Sequence, residues 1–220
     1  KKKVILIGNI ELLKKQLNKL NNLFPLNEIK NINEARKSLV NIINVDFEYK
    51  YVFDKISSSS NDYIEQSFKK SLDIIKKNKS KCILINGPIS KKNFLKKKFL
   101  GITEFFAKKF KKKTAMLIYN KDLSVCPTTT HLPLKKVTKT LNKKLITEKV
   151  LLIDDFYKTH VGYKPKIGVT GLNPHCESIS KFNEDEKIIK PVIKNLNKRK
   201  FKISGPYAAD TIFLKKNRKK

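Results

Sequence analysis

Short apolar runs alternate along this chain with segments of helical periodicity, and each apolar run stops at a polar or glycine-containing stretch. Val4–Ile7 ends at Gly8 and is followed by a segment in which leucines recur at helical spacing. Ile167–Thr170 runs in the same way into Gly171. Alternating strand and helix signals are typical of α/β folds. The sequence therefore predicts an α/β protein.

The same patterns predict the remaining elements. Further strands are expected at Cys82–Ile85 (buried), Ala115–Tyr119, Leu123–Cys126 and Lys202–Ser204. Helices are expected at Glu11–Leu20, after Ser57–Asn61, at Glu104–Lys112 with Thr103 as N-cap, at Leu134–Leu145, at Val150–Tyr157 and at Glu184–Leu196 with a kink near Pro191.

The charge of the chain raises the question of a polyanionic partner. Lys and Arg number 50 against 19 Asp and Glu, for a net charge of +31, and clustered cations bind phosphates by releasing counterions. Almost all of these cations are lysines, which accompany many Asn and Ile residues with A/T-rich codons. This combination favours codon bias, rather than a polyanionic partner, as the origin of the positive charge. We therefore expect no specific nucleic-acid partner. The alternative is a basic RNA-binding or ribosome-associated α/β protein, whose best evidence is the mixture of Lys and Phe in 96–110.

No apolar run approaches the roughly 18 residues of a membrane span, and we expect no membrane partner. The three cysteines, Cys82, Cys126 and Cys176, form no CxxC pair. An odd number of cysteines without such spacing is a poor disulfide framework, so we expect a cytoplasmic protein.

Two histidines follow predicted strands in loops that contain glycine or proline. His131 lies in 128–134 and His175 in 171–177. Loops at the carboxyl ends of strands are where α/β proteins bind ligands, and two neutral imidazoles brought together could hold a divalent cation. The alternative for each histidine is a hydrogen-bonded structural role. A third ligand would have to come from a carboxylate, from Cys176, or from outside this chain.

Five motifs occur in an order and at a spacing that are similar to those of the 4-hydroxythreonine-4-phosphate dehydrogenase family. They are Asn86-Gly87-Pro88-Ile89-Ser90-Lys91, Gly101-Ile102-Thr103-Glu104-Phe105-Phe106-Ala107, Thr129-Thr130-His131-Leu132-Pro133-Leu134, Gly171-Leu172-Asn173-Pro174-His175 and Gly205-Pro206-Tyr207-Ala208-Ala209-Asp210-Thr211-Ile212-Phe213. The resemblance extends from about Cys82 to Phe213.

This resemblance implies a two-domain α/β/α subunit of the isocitrate/isopropylmalate dehydrogenase type, incomplete here, that works as a homodimer with a shared active site. Residues 1–113 would belong to the first domain, and residues 114–220 to the second, which carries the metal histidines. The implied reaction is oxidation of 4-phosphohydroxy-L-threonine by NAD (or NADP), followed by decarboxylation to 3-amino-2-oxopropyl phosphate. A divalent metal (Zn, Mg or Co) would assist both steps.

The resemblance also implies roles for single residues. His131 and His175 match metal ligands, and Asp210 matches an acidic motif position that we expect near the metal as a catalytic residue. Ile102, Thr103 and Lys91 match positions assigned to substrate binding.

Several departures from the family pattern accompany these matches. Ile102 stands where the family has a substrate-contacting histidine, and His175-Cys176-Glu177-Ser178 replaces a common His-Ala-Gly-Glu. The segments that would carry the third metal histidine and most of the cofactor pocket are not in this chain. We therefore expect an internal portion of the enzyme that is inactive alone. A decayed, non-catalytic relative is the alternative that Ile102 suggests.

Overall fold

The structure, a computed structural model, describes residues 3–78, 82–95, 99, 101–176, 180 and 182–214. The chain divides into two compact units, Lys1–Phe99 and Leu100–Lys220. The domain boundary that we expect between residues 113 and 114 refers to the full-length subunit of the family. It is not the division of this chain into compact units, and it stays a prediction.

The first unit is built on a three-stranded parallel sheet in the order β1-β3-β2. Its strands are β1 (Ile5–Gly8), β2 (Leu26–Glu28) and β3 (Val40–Asn44), and its helices are α1 (Ile10–Lys19) and α2 (Asn61–Asn78). A 3-10 turn at Ile32–Glu34 and a π-helical turn at Lys91–Leu95 complete the unit. The predicted strand at Val4–Ile7 and the first two predicted helices are confirmed, within a residue or two at their ends.

The central strand, β3, was not predicted from the sequence. Ile42 and Ile43 are almost fully buried, and so is Asn41, whose polarity interrupts the apolar run. The Asn41 amide donates to the carbonyl oxygens of Val4 (3.0 Å) and Arg36 (2.9 Å) and accepts from the Asn27 side chain (2.9 Å). A buried polar side chain is tolerated only with such partners, and these lie on other segments of the chain.

The predicted buried strand at Cys82–Ile85 is wrong. The segment forms no strand, and the side chains of Ile83 and Ile85 are 80% and 87% exposed. An apolar segment becomes a buried strand only when a neighbouring strand pairs with its backbone. Among the residues that the structure describes, no strand pairs with this one.

The second unit contains two parallel strands, β4 (Ile167–Thr170) and β5 (Ile203–Tyr207), packed against helices. The helices are α3 (Ile102–Phe110), α4 (Leu134–Thr140), α5 (Lys143–Phe156) and α6 (Lys190–Lys198), with π-helical turns at Tyr157–Val161 and Asp185–Ile189. Its core consists of buried aliphatic side chains, namely Leu141, Ile146, Val150, Ile189, Val192, Ile193, Leu196 and Ile203. The predicted strand at Ile167–Thr170 is confirmed.

Several predicted boundaries in this unit are corrected. The residue that caps α3 is Gly101 rather than Thr103, because the helix already begins at Ile102. The strands expected at Ala115–Tyr119 and Leu123–Cys126 reduce to one antiparallel bridge between Ile118 and Val125. The helix expected at Leu134–Leu145 is broken, because the Asn142 side chain accepts a hydrogen bond from Leu145 N (2.9 Å) and starts α5.

Near the end of the second unit, β5 covers Ile203–Tyr207, so the strand predicted at Lys202–Ser204 begins one residue later and continues through Gly205 and Pro206. None of the described helices has the length and apolar character needed to cross a lipid bilayer.

Candidate functional site

His131 lies in the loop that precedes α4 and faces the first turn of α3. Its backbone is in the left-handed region, with φ 54°, and its side chain is exposed. A Cβ placed on Gly101 would lie 3.5 Å from Nε2 and 3.7 Å from Cδ2 of His131. Ile102 and Thr103, both half-buried, follow Gly101 in this turn. The structure therefore brings one predicted metal ligand beside two predicted substrate-binding residues.

Glu104 belongs to the same group, although no role was predicted for it from the sequence. Its Oε1 accepts a hydrogen bond from the Thr130 hydroxyl (3.1 Å), and its Oε2 is buried with no hydrogen-bond partner in the described part of the chain. The only sequence signal for Glu104 was its place in the Gly101–Ala107 motif. Its proximity to Thr130 depends on a contact between residues 26 positions apart, which no local pattern encodes.

His175 lies in the loop after β4, against the loop after β5. Its Nδ1 is 3.6 Å from Oδ2 of Asp210, and both side chains are substantially exposed. The two loops are joined by hydrogen bonds from Ala209 N to Pro174 O (2.9 Å) and from Gly171 N to Tyr207 O (2.9 Å). Because the carboxyl ends of adjacent parallel strands share one edge of a sheet, the strand pairing itself brings His175 and Asp210 together.

Cys176 stands next to His175 but points toward the base of the loop. A Cβ on Gly171 would lie only 2.5 Å from the Cys176 sulfur and 3.0 Å from Oδ1 of Asp185. Burial raises the pKa of the Cys176 thiol, and the negative charges of Asp185 and Asp210 act in the same direction. The protonated thiol is favoured, and it is a poorer metal ligand than a thiolate. Asp185 itself is buried and accepts from Leu172 N (2.7 Å), which shapes the loop.

The predicted site residues thus form two groups within the second unit. One contains Ile102, Thr103 and His131, and the other contains His175 and Asp210. In the described part of the chain, no three His, Cys, Asp or Glu side chains come close enough to hold a metal ion. Lys91 lies in the first unit, exposed at the start of its π-helical turn. Glu177 lies outside the described residues.

The metal-binding atoms that the His131 group and the His175 group offer fit part of a divalent metal site. Each histidine offers imidazole nitrogens, which suit Zn²⁺ and related cations. Each also has a carboxylate close to its ring, Glu104 near His131 and Asp210 beside His175. Metal-binding histidines usually have such a neighbour, which orients the ring.

Comparison with known proteins identifies the family of the chain. The family model described as "Pyridoxal phosphate biosynthetic protein PdxA" matches residues 1–220. The 4-hydroxythreonine-4-phosphate dehydrogenase of Sulfurihydrogenibium sp. (strain YO3AOP1) is 35% identical over 196 residues, covering 86% of this chain and 59% of that protein. The enzyme of the same name from Neisseria meningitidis is 39% identical over 118 residues, 52% of this chain and 36% of that protein. The chain therefore spans well under two-thirds of the length of these relatives.

Solved structures match the fold. The crystal structure of 4-hydroxythreonine-4-phosphate dehydrogenase from Klebsiella pneumoniae superposes with a TM-score of 0.82 at 22% identity, covering 97% of this chain and 68% of that one. The enzyme from Burkholderia phymatum gives a TM-score of 0.79 at 22% identity, with 97% and 67% covered. These likenesses confirm the predicted α/β fold of the isocitrate/isopropylmalate dehydrogenase type, of which this chain represents about two-thirds. Because the family model matches all 220 residues, the chain belongs to the PdxA family of pyridoxal phosphate biosynthetic proteins.

Proposed function

We propose that this chain is part of an NAD-dependent dehydrogenase of pyridoxal phosphate biosynthesis. The enzyme oxidises 4-phosphohydroxy-L-threonine, and the β-keto acid formed loses CO₂ to give 3-amino-2-oxopropyl phosphate. The observation that supports this most directly is the meeting of His175 and Asp210, 3.6 Å apart, at the ends of two adjacent parallel strands. Both residues lie in the sequence motifs on which the resemblance to the family rests, and the chain belongs to that family.

In this proposal His131 and His175 hold a divalent cation (Zn, Mg or Co) through neutral ring nitrogens. When bound, the cation acidifies the substrate alcohol and stabilises the charge left by decarboxylation, while NAD (or NADP) takes up the hydride. Asp210 is the catalytic residue. Its side chain is 47% exposed beside the His175 ring, so its carboxylate is open to substrate and accepts the proton of the alcohol.

The first turn of α3 binds the substrate in this proposal. Thr103 lies in that turn, where free backbone N–H groups and the helix dipole favour an anionic group such as a phosphate or carboxylate. Ile102 cannot form the hydrogen bond that the family histidine makes. We therefore expect Ile102→His to leave turnover unchanged and to lower KM for the phosphorylated substrate. Lys91 supplies a further cation for the substrate.

The partner proposed for this subunit is a second copy of the whole protein. Because the chain belongs to the PdxA family, the proposal places the complete site in a homodimer of the full-length enzyme, with the third metal ligand on a segment outside this chain.

The proposal is tested with a chimera in which this chain is extended by the part of the Sulfurihydrogenibium relative that it does not match. The chimera is incubated with 4-phosphohydroxy-L-threonine, a divalent metal and either NAD or NADP, and reduction of the cofactor is followed by absorbance. We expect metal-dependent reduction by the chimera and none by the 220-residue chain, because residues that act as a unit fail together.

Histidine variants of the chimera provide the internal controls. His131→Ala and His175→Ala should each abolish most of kcat and its metal dependence. His160→Ala should leave both unchanged, because His160 is an exposed residue whose ring packs on Phe156 with centroids 5.4 Å apart. A folded chimera that binds metal but oxidises no substrate would indicate the decayed relative. A folded chimera that does neither would refute the dehydrogenase proposal, and turnover by the 220-residue chain would refute the expectation that it is inactive alone.

A further inference from the structure

Glu104 has a buried acceptor atom that no described residue satisfies. One of its carboxylate oxygens, Oε1, accepts from the Thr130 hydroxyl, and the other, Oε2, is buried and has no hydrogen-bond partner among the residues that the structure describes. A buried carboxylate oxygen without a donor is costly, and such a group in a native structure indicates a missing partner. The question is which proton donor lies within reach of Oε2.

The space beside Oε2 is kept open by Gly101. A Cβ on Gly101 would lie 2.8 Å from Oε2 and 3.5 Å from Nε2 of His131. The two atoms therefore flank one small volume, and their separation cannot exceed the sum of these distances. Gly101 has an extended backbone, with φ −160°, so glycine is not needed there for its conformation. Its missing side chain leaves room for Oε2 and the imidazole to approach each other.

His131 combines an unusual backbone conformation with a ring at the surface of the unit. Its φ of 54° is a conformation that non-glycine residues adopt rarely, and its side chain is exposed. The hydrogen bond from Thr130 to Glu104 ties the residue just before His131 to α3. It is the Nε2 and Cδ2 edge of the ring that faces Gly101, which leaves Nδ1 on the opposite part of the ring.

We propose that Glu104 is the positioning residue of His131: it accepts a hydrogen bond from the Nε2–H group of the imidazole, fixes the tautomer, and leaves the lone pair of Nδ1 available to bind a metal. The arrangement is the carboxylate–histidine–metal chain that orients ligand histidines in many metalloproteins. Glu104 in this inference touches neither metal nor substrate and acts only through His131. The inference rests on the proposed metal role of His131.

The first test measures binding of Co²⁺ by calorimetry to the chimera described above, because the third metal ligand of the proposed site lies outside the 220-residue chain. We expect Glu104→Gln to weaken the affinity about 10- to 100-fold, the usual effect of removing such a carboxylate partner. Gly101→Ala should weaken it in the same direction, because its Cβ would occupy the volume between Oε2 and Nε2. The control is Glu148→Gln, since Glu148 is a carboxylate of α5 that pairs with Lys113. This control should bind Co²⁺ as the unchanged chimera does.

The second test needs no metal and reads the tautomer directly. In protein with ¹⁵N-labelled histidine, the nitrogen shifts at neutral pH should show His131 protonated at Nε2. Glu104→Gln should move the population toward the Nδ1-protonated form, whereas His160 should keep its shifts in every variant. If Glu104→Gln lowers the stability of the protein but leaves the tautomer of His131 unchanged, Glu104 has only a structural role and the inference is wrong.

The two tests separate this inference from the proposed function. If His131→Ala weakens Co²⁺ binding but Glu104→Gln and Gly101→Ala do not, the metal role of His131 stands and the inference is wrong. If His131→Ala itself leaves Co²⁺ binding unchanged, the proposed metal role fails, and a tautomer shift in Glu104→Gln would then support only the contact between the two residues.

Discussion

Among the individual residues, His175 and Asp210 form the contact on which the proposed chemistry depends most. Their separation of 3.6 Å is longer than a hydrogen bond, and both side chains are exposed enough to adjust to a ligand. The backbone bond from Ala209 N to Pro174 O holds the two loops together. The backbones of the loops are therefore held together, while the two exposed side chains have room to rotate.

We expect Asp210→Asn to weaken Co²⁺ binding by the chimera about 10- to 100-fold, because the amide removes the negative charge that faces the His175 ring. Calorimetric titration of the metal measures the effect. The control is Asp155→Asn, an exposed carboxylate on α5, which should not change the affinity. An unchanged affinity in Asp210→Asn, together with a reduced affinity in His175→Ala, would show that Asp210 does not support the ligand.

Among the helices and strands, the break between α4 and α5 shows how one side chain sets an element boundary. The apolar pattern of 134–145 continues across the break, but Leu141 is extended and Asn142 caps the next helix. The Asn142 side chain satisfies a backbone N–H that would have no partner at a helix start. Leu141 is thereby placed in the core instead of on a helix face.

Asn142→Ala should destabilise the second unit by about 1 kcal/mol, the usual effect of losing an N-cap. Urea unfolding followed by circular dichroism measures this free energy. Asn195→Ala is the matched control, because Asn195 is exposed within α6 and alanine is the better helix former there. Equal destabilisation by both substitutions would contradict the capping role.

The pairing of β4 with β5 depends on a close backbone approach at Gly205. This residue has φ +126°, and a Cβ there would lie 2.4 Å from the carbonyl oxygen of Val169. A side chain at this position would therefore combine backbone strain with a clash against the neighbouring strand.

Gly205→Ala is expected to destabilise the second unit by about 3 kcal/mol or more in urea unfolding. Gly162→Ala separates the two causes, because Gly162 has φ +92° but open space around its Cβ position. That control should cost only about 1 kcal/mol, the contribution of backbone conformation alone. A similar loss in both variants would show that the contact with Val169 is unimportant.

Considered as a whole molecule, the protein carries its positive charge over both units. Every lysine that the structure describes is exposed except Lys149 and Lys164, which are half-buried. Lys149 donates to the carbonyl oxygen of Thr114 (2.7 Å), so it serves the local structure of the unit. This distribution agrees with a compositional origin of the charge, since lysine tolerates surface positions of any kind.

Binding to single-stranded RNA should accordingly be weak, fall steeply with salt and show no preference among sequences. Fluorescence anisotropy with two oligonucleotides of different sequence, at low and at physiological salt, measures all three properties. Tight and sequence-selective binding at physiological salt would support the RNA-binding alternative instead.

Much of the fold follows from local patterns in the sequence. Helices α1 and α2 and strands β1 and β4 were predictable because apolar spacing and capping residues act within a few positions along the chain. His131 and His175 were proposed from their loops after predicted strands, and Asp210 from the resemblance to the family, and their roles stay predictions. The sequence by itself thus determined the fold class and the candidate residues in the loops.

The tertiary structure decided which of these local tendencies are realised. β3 exists because partners on three other segments satisfy its buried Asn41. Ile83 and Ile85 stay exposed because no described strand pairs with them. The contact between Glu104 and Thr130, and the open space at Gly101 beside His131, likewise join residues far apart in sequence. Burial and hydrogen bonding are properties of pairs of segments, so a pattern read along one segment cannot determine them.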